Sequence, residues 1–346
     1  MQFMPDKKQL PVRMIFSPAF KERGLFENSN VSFQEALQRC FSLILDLNVL
    51  NCTESKKARN MLNFYKIVKE NLNFNRFEFK ETVCLEYTCP IEAEEIGIFS
   101  RNDYIVYVLS GKKTYKTLHD EWTLEPGQTL YLKKGAEIIH QYFDDQYCML
   151  GFFISDELIR ETIKELQGNQ VLKAGNDSNN FAARPVQASD YLEGYFNSML
   201  TYFRGINRPP DPILVLKLKE LLINLVNCDP ILTSYFIALT ETDKPSLRQI
   251  MEKNFCFNLK IEDFAELSHR SLSSFKREFN SIFNEPPGKW IQKRRVEHAA
   301  HIIANSNQSV TQIAYESGFE DVSHFSRVFK SIIGKSPSDY KKSLAF

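Results

Sequence analysis

No stretch of this chain stays apolar for long. The longest run is about MLGFFI, residues 149–154, far short of the roughly 20 residues a membrane-spanning helix requires. No basic-then-apolar opening of the secretory kind begins the chain, so neither a membrane span nor a secretion signal is expected. The seven cysteines (Cys40, Cys52, Cys84, Cys89, Cys148, Cys228, Cys256) contain no C-x2-C pair, and no two histidines stand as H-x-H. Zinc-ribbon spacing and a dense disulfide framework are thereby excluded, and reduced thiols in a cytoplasmic protein are expected. Cys84 and Cys89 are close enough in sequence for a redox pair; two plain strand cysteines are the simpler reading. Charge of one sign is also missing, because 43 Lys and Arg balance 43 Asp and Glu.

That balance hides an asymmetry. From Ser246 onward there are 15 basic against 11 acidic residues, which leaves 28 against 32 for residues 1–245. A basic C-terminal part points mildly to nucleic acid. With 346 residues, 43% of them hydrophobic, the chain can fill two globular domains.

Residues 1–60 read as a poorly defined extension with one amphipathic helix. Ser32 and Glu35 form a candidate capping box, and Phe33, Ala36, Leu37, Cys40, Phe41 and Ile44 follow at helical spacing. Met61 opens a better-patterned segment and is expected to start the first domain, 61–239. From about Phe77 to Ile154 short β-rich runs dominate: FEFKETVCLEY, YIVYVLSGKKTYKT, WTLEPGQTLYLKKGAEIIHQYF and YCMLGFFI, broken at Ser110-Gly111, Pro126-Gly127 and Lys134-Gly135. This is antiparallel sandwich or barrel spacing. The segments VLSGKKTY and EPGQTLYLKKGAEIIHQY resemble the two recurrent turns of the cupin-like barrel of bacterial sensor domains. Catalytic members of that fold carry H-x-H and a glutamate on the first segment and a histidine on the second. Only His140 stands in the matching region here, so the resemblance implies a receptor shell without metal, with His140 as a structural or pocket-lining residue.

Helices are expected at Asp156–Leu166, Tyr191–Phe203 and Ile213–Val226. The third has Leu214, Leu218, Leu221, Leu222 and Leu225 on one face, which suits either a core or a dimer seam. The polar segment TETDKPS, 240–246, is expected to be the linker to a second domain, 247–346.

That domain contains a repeat. SSFKREFNSIFNEPPGKW (273–290) and SHFSRVFKSIIGKSPSDY (323–340) align without a gap and are identical at seven of eighteen positions, among them Phe275/Phe325, Arg277/Arg327, Phe279/Phe329 and Pro287/Pro337. Repeats of this kind settle architecture before single residues do. Upstream of each copy lies a short amphipathic helix with a small inward residue, Ala265 or Ala314, followed by a tight turn. Helix, short turn and second helix with phenylalanines at i and i+4 is the helix-turn-helix plan. Between the copies, Gly288–Ala304 reads as a connector helix that spans roughly 24 Å, suited to two major-groove segments about 34 Å apart.

Residues 247–346 closely resemble the DNA-binding domain of the AraC/XylS family of bacterial transcription regulators. The motif SVTQIAYESGFEDVSHFSRVFKSIIGKSPSDYKK carries most of the likeness, with Ala265, Ser271, Phe275, Phe279 and RRVEHAA in the first half. The family usually has glycine where Asn284 stands; asparagine tolerates the same left-handed backbone.

The resemblance implies an α+β, two-domain protein: a cupin-like antiparallel β-barrel with flanking helices, then two helix-turn-helix units joined by a connector helix. It further implies a transcription regulator, an activator in most members, that binds double-stranded DNA and RNA polymerase, as a homodimer in some members, with no cofactor. The signal sensed is a small-molecule effector or a regulatory protein. An enzyme fused to a DNA-binding domain is the alternative; repair-type fusions need Pro-Cys-His, which none of the cysteines supplies.

If Phe275 and Phe279 point inward, Ser273, Lys276 and Arg277 face the groove with Ser274 at its edge. Arg277 is the candidate for a bidentate guanine contact. In the second copy the outward set is Val322, Ser323, Ser326 and, in part, Arg327, beside Glu320 and Asp321 at the helix start. The first helix is therefore expected to carry more specificity and the second more positioning. Arg327 equally suits a buried-edge arginine that ties the two units through a carboxylate, and Lys293, Arg294 and Arg295 suit either phosphate contact or a solvated face.

Overall fold

The computed structural model describes residues 61–70, 74–88, 94–143, 146–169, 171–175 and 181–344. The capping box at Ser32 and Glu35, its helix, and Cys40, Cys52 and Cys89 lie outside them. The described residues fall within one compact unit.

The β-rich text forms two facing sheets. One has the order β1 (Leu62–Asn63), β4 (Glu95–Ser100), β9 (Gly135–Gln141), β6 (Lys113–Lys116), β7 (Glu121–Leu124). The other runs β11 (Ala183–Val186), β8 (Thr129–Leu132), β5 (Asp103–Ser110), β10 (Cys148–Ile154), β3 (Thr82–Thr88), β2 (Asn75–Phe79). All pairings are antiparallel except β1 with β4. A short α1 (Phe64–Glu70) packs Phe64, Tyr65 and Val68 into the space between the sheets.

Strand alternation divides the core in two. Along β5, Tyr104, Val106 and Val108 turn between the sheets. Ile105 turns to the opposite face, where four helices cover it: α2 (Asp156–Asn169), α3 (Asp190–Arg204), α4 (Asp211–Cys228) and α5 (Pro230–Thr240). Both faces of the strand are therefore dry, which explains why YIVYV reads as continuous rather than alternating. All five leucines of the α4 stripe are buried in this layer, so the core reading holds within the chain. Helix α5 shows no amphipathic period in PILTSYFIALT because it is covered on most sides: Leu232, Thr233, Ser234, Tyr235, Phe236 and Leu239 are all buried. Its start is nevertheless explicit, since Asp229 accepts from the amides of Ile231 and Leu232 ahead of Pro230.

Polar groups inside the domain are used as joints. Asp103, fully buried, accepts from Tyr131 Oη (2.6 Å), Tyr235 Oη (2.8 Å) and the Lys134 amide (2.8 Å), which ties β5 and the β8–β9 turn to α5. Lys134 in turn pairs with Asp156 at the start of α2. Between the sheets Tyr104 donates to Glu137, and Tyr115 and Tyr147 share a hydrogen bond of 3.0 Å. His140 lies on β9 with a half-exposed side chain 3.9 Å from Glu95 and edge-on to Tyr142. Among the described residues no three His, Cys, Asp or Glu side chains are placed to hold a metal. Burial pushes the thiol of Cys84 up to about 12, the opposite of a reactive thiolate.

The C-terminal part is wholly helical: α6 (Leu247–Asn254), α7 (Ile261–Leu267), α8 (Leu272–Phe283), α9 (Pro287–Asn305), α10 (Val310–Glu316), α11 (Val322–Ile333) and α12 (Pro337–Leu344). The expected two-domain α+β architecture is borne out, a β-sheet domain followed by a helical one. Their cores are not independent, however. Phe99 and Ala136 of the sheet pack in one cluster with Leu247, Ile250, Met251, Phe264, Phe275, Phe279 and Trp290, while α10–α12 close a second cluster with Val296, Ala299 and Ile303 of α9.

Candidate nucleic-acid interface

Each helical pair is fixed by the same local chemistry. Ser271 caps α8 by accepting from the Ser274 amide (3.3 Å), and Asp321 caps α11 by accepting from the His324 amide (2.6 Å). Ser309 and Gln312 form the expected capping box at the start of α10. Both long helices end on a left-handed residue, Asn284 (φ 55°) and Gly334 (φ 87°). Asn284 thus does what the sequence required of it. Phe275 and Phe279, and likewise Phe325 and Phe329, are fully buried, which turns the opposite faces outward.

The turns differ. Four residues join α7 to α8 and five join α10 to α11, so the repeat is in register from α8 on and one residue short before it. His269 (φ 54°) takes the left-handed position in the first turn and Gly318 (φ 85°) in the second. Arg270 staples the first turn: its guanidinium donates to both carboxylate oxygens of Glu278 (2.8 and 2.6 Å) and to the carbonyls of Pro245 and Ser268. This hydrogen-bonded guanidinium holds the Glu278 carboxyl below its usual range.

On α8, Ser273, Lys276 and Arg277 are exposed and Ser274 is half-buried. Neither Lys276 nor Arg277 enters a salt bridge among the described residues. On α11, Ser323 and Arg327 are exposed, whereas Val322 and Ser326 are half-buried, Val322 because it packs against the second cluster. The outer face of α8 also presents Asn280, omitted from the sequence-derived set although i+4 from Lys276 would have found it.

Arg327 is exposed, and among the described residues its Nε reaches the Ser323 carbonyl of its own helix (3.4 Å). The arginine that ties the two units is instead Arg295 on α9. Its Nε donates to the Phe255 carbonyl (2.6 Å) and its Nη2 to that of Phe257 (2.8 Å). Arg294 pairs with Glu252 (2.7 Å) and Glu297 (2.6 Å). Of the three basic connector residues Lys293 is exposed, and Arg294 and Arg295 are half-buried. Glu320 accepts from Asn258 of the first unit, so of the two acidic residues before α11 one is a cap and the other a tie.

Comparison with known proteins follows this division. Residues 103–234 match the ExsA N-terminal regulatory domain, and residues 264–343 match a helix-turn-helix domain. Neither description is that of an enzyme family. The chain is 24% identical to the HTH-type transcriptional regulator ExsA of Pseudomonas aeruginosa over 246 residues, covering 69% of this chain and 86% of that protein. It is 23% identical to the thermoregulatory protein LcrF of Yersinia pestis over 262 residues, 75% of this chain and 94% of that protein. Among solved structures, an apo form of ToxT from Vibrio cholerae aligns at 16% identity and a TM-score of 0.39, covering 78% of this chain and 100% of that one. With a regulatory β-domain, two helix-turn-helix units and relatives matched along most of their length, the chain belongs to the AraC/XylS family of DNA-binding transcription regulators.

Proposed function

We propose that this regulator activates transcription from promoters that it reads with α8 and α11 in successive major-groove segments of one DNA face. The observation that carries the reading is the pair of outward faces opposite buried phenylalanines: Ser273, Lys276 and Arg277 with Ser274 at the edge, and Ser323 and Arg327 with Val322 and Ser326 at the edge. Arg277, which enters no salt bridge among the described residues, suits bidentate guanine contact, and the less basic α11 suits positioning on phosphate. A role as activator agrees with the name of a further relative, the virulence regulon transcriptional activator VirF of Yersinia enterocolitica. RNA polymerase is then the second macromolecular partner, and the cytoplasm the place of action. No catalytic step is assigned to the chain.

A second reading concerns control. The space between the sheets is occupied by fully buried large side chains, Tyr104, Tyr115 and Phe153 among them. This supports a regulatory protein, rather than a small molecule held inside the barrel, as the signal that the domain answers. A homodimer through the regulatory domain is compatible with either.

The test is fluorescence anisotropy of the full chain with duplexes from upstream of its own gene, over a salt series, beside Arg277→Ala. Sequence-preferring binding that Arg277→Ala weakens on the preferred duplex supports the reading. Binding that depends on salt alone, equal for all sequences, overturns it.

A further inference from the structure

Asn254 ends α6 and is 1% exposed. Its Oδ1 accepts the backbone N–H of Ala136 on β9 (2.7 Å), its Nδ2 donates to the Ile250 carbonyl (2.7 Å), and its own carbonyl accepts from the Phe257 amide (3.1 Å). A side-chain amide offers an acceptor to one domain and a donor to the other from two separate atoms held in one plane. On the sheet side there is little slack, since a Cβ at Gly135 would stand 3.1 Å from Asn254 Oδ1.

The loop that follows is gripped from two further directions. Arg295 of the connector holds the Phe255 and Phe257 carbonyls. The Cys256 carbonyl lies against Gly318 in the second turn, where a Cβ would stand 2.2 Å from it, and Asn258 binds Glu320. The first unit rests on the sheet domain by separate contacts, Asn63 to Glu266 (2.9 Å) and His269 to the Arg101 carbonyl (3.0 Å). The loop after Asn254 therefore serves both reading helices: Phe255, Cys256, Phe257 and Leu259 pack in one cluster with Phe275 and Phe279 of α8, and the Cys256 carbonyl and Asn258 meet the turn before α11.

We propose that Asn254 is the positioning residue through which the regulatory domain sets the placement of α11 relative to α8, and so the separation of the two DNA segments read together. This rests on the two-helix reading above. A packed joint passes on a displacement rather than absorbing it, and a buried hydrogen bond lost on one side leaves the Ala136 N–H without its partner.

The experiment uses the full chain and a pool of duplexes with about 30 random base pairs, three turns of DNA. The wild type is expected to select sites with two contacted segments at one fixed separation. Asn254→Ala and Gly135→Ala, one on each side of the joint, should each lose about tenfold in discrimination against sites with the separation changed by about one base pair, and the double variant should lose no more than either alone. Thermal melting of each variant accompanies the selection, and Gly135→Ala leaves every residue of the helical domain intact. Unchanged discrimination in both variants, or an equal affinity loss at every separation, overturns the proposal. Failure of the wild type to select any sequence removes the two-helix reading itself.

Discussion

Gly318 and Cys256 are in contact without room for a side chain between them. A Cβ on Gly318 would lie 2.2 Å from the Cys256 carbonyl oxygen and 3.0 Å from Arg295 Nε, and its φ of 85° belongs to glycine. Clash and backbone strain act in the same direction here. Gly318→Ala should destabilise the helical domain by about 2–3 kcal/mol, measured by urea denaturation, whereas Gly194→Ala on α3, where a Cβ meets nothing within 4 Å, should be neutral or stabilising.

Arg277 and Arg327 are repeat partners with different expected roles. Arg277→Ala should cost about 1–3 kcal/mol on the preferred duplex and relax the preference at one base pair. Arg327→Ala should weaken binding about equally on all sequences and reduce the salt slope by about one unit. Anisotropy on matched and mismatched duplexes at several salt concentrations separates the two.

Glu137 is wholly buried and its carboxyl is pushed up to about 8 by desolvation, against which the hydrogen bond from Tyr104 acts. From its ordinary value of 4.5 up to about 8 the folded chain holds a proton that the unfolded chain releases, so this residue lowers stability as pH rises through that window. The slope reaches about 1.4 kcal/mol per pH unit. Glu137→Gln should flatten it. His269 and His298, whose imidazoles burial holds below the usual range, destabilise in the opposite direction as pH falls, so the glutamate contribution is read as the difference between variant and wild type in denaturation midpoints.

Asp103→Ala would strip three donors, Tyr131, Tyr235 and the Lys134 amide, of their shared acceptor. A loss of about 3–5 kcal/mol is expected. Asp103→Asn keeps an acceptor oxygen and should recover part of it, which thermal melting of the two variants will show.

The helix-turn-helix units were legible because their signals are local: phenylalanines at i and i+4, a cap before each helix, a left-handed residue after it, all written twice. Asn284 could be assigned to its conformation for the same reason. The paired sheets were legible from β-branched and aromatic runs broken at glycine. What failed was wherever one residue type suits two environments. Helix α5 has no charged residue and is buried on most sides, so no period marks it. Arg294, Arg295 and Arg327 look alike as cations, yet the first two are held by Glu252 and by loop carbonyls while Arg327 stays exposed.

The sequence by itself determined the architecture, the repeat and which faces of α8 and α11 turn outward, because helical and strand periods follow from neighbours a few residues apart. Tertiary structure alone decided how the domains are joined. The Asn254 contact with Ala136 spans 118 residues and that of Asn63 with Glu266 spans 203. A hydrogen bond between such distant groups leaves no periodic trace in either segment. It exists only once two independently patterned surfaces have been brought together and every buried donor must find an acceptor.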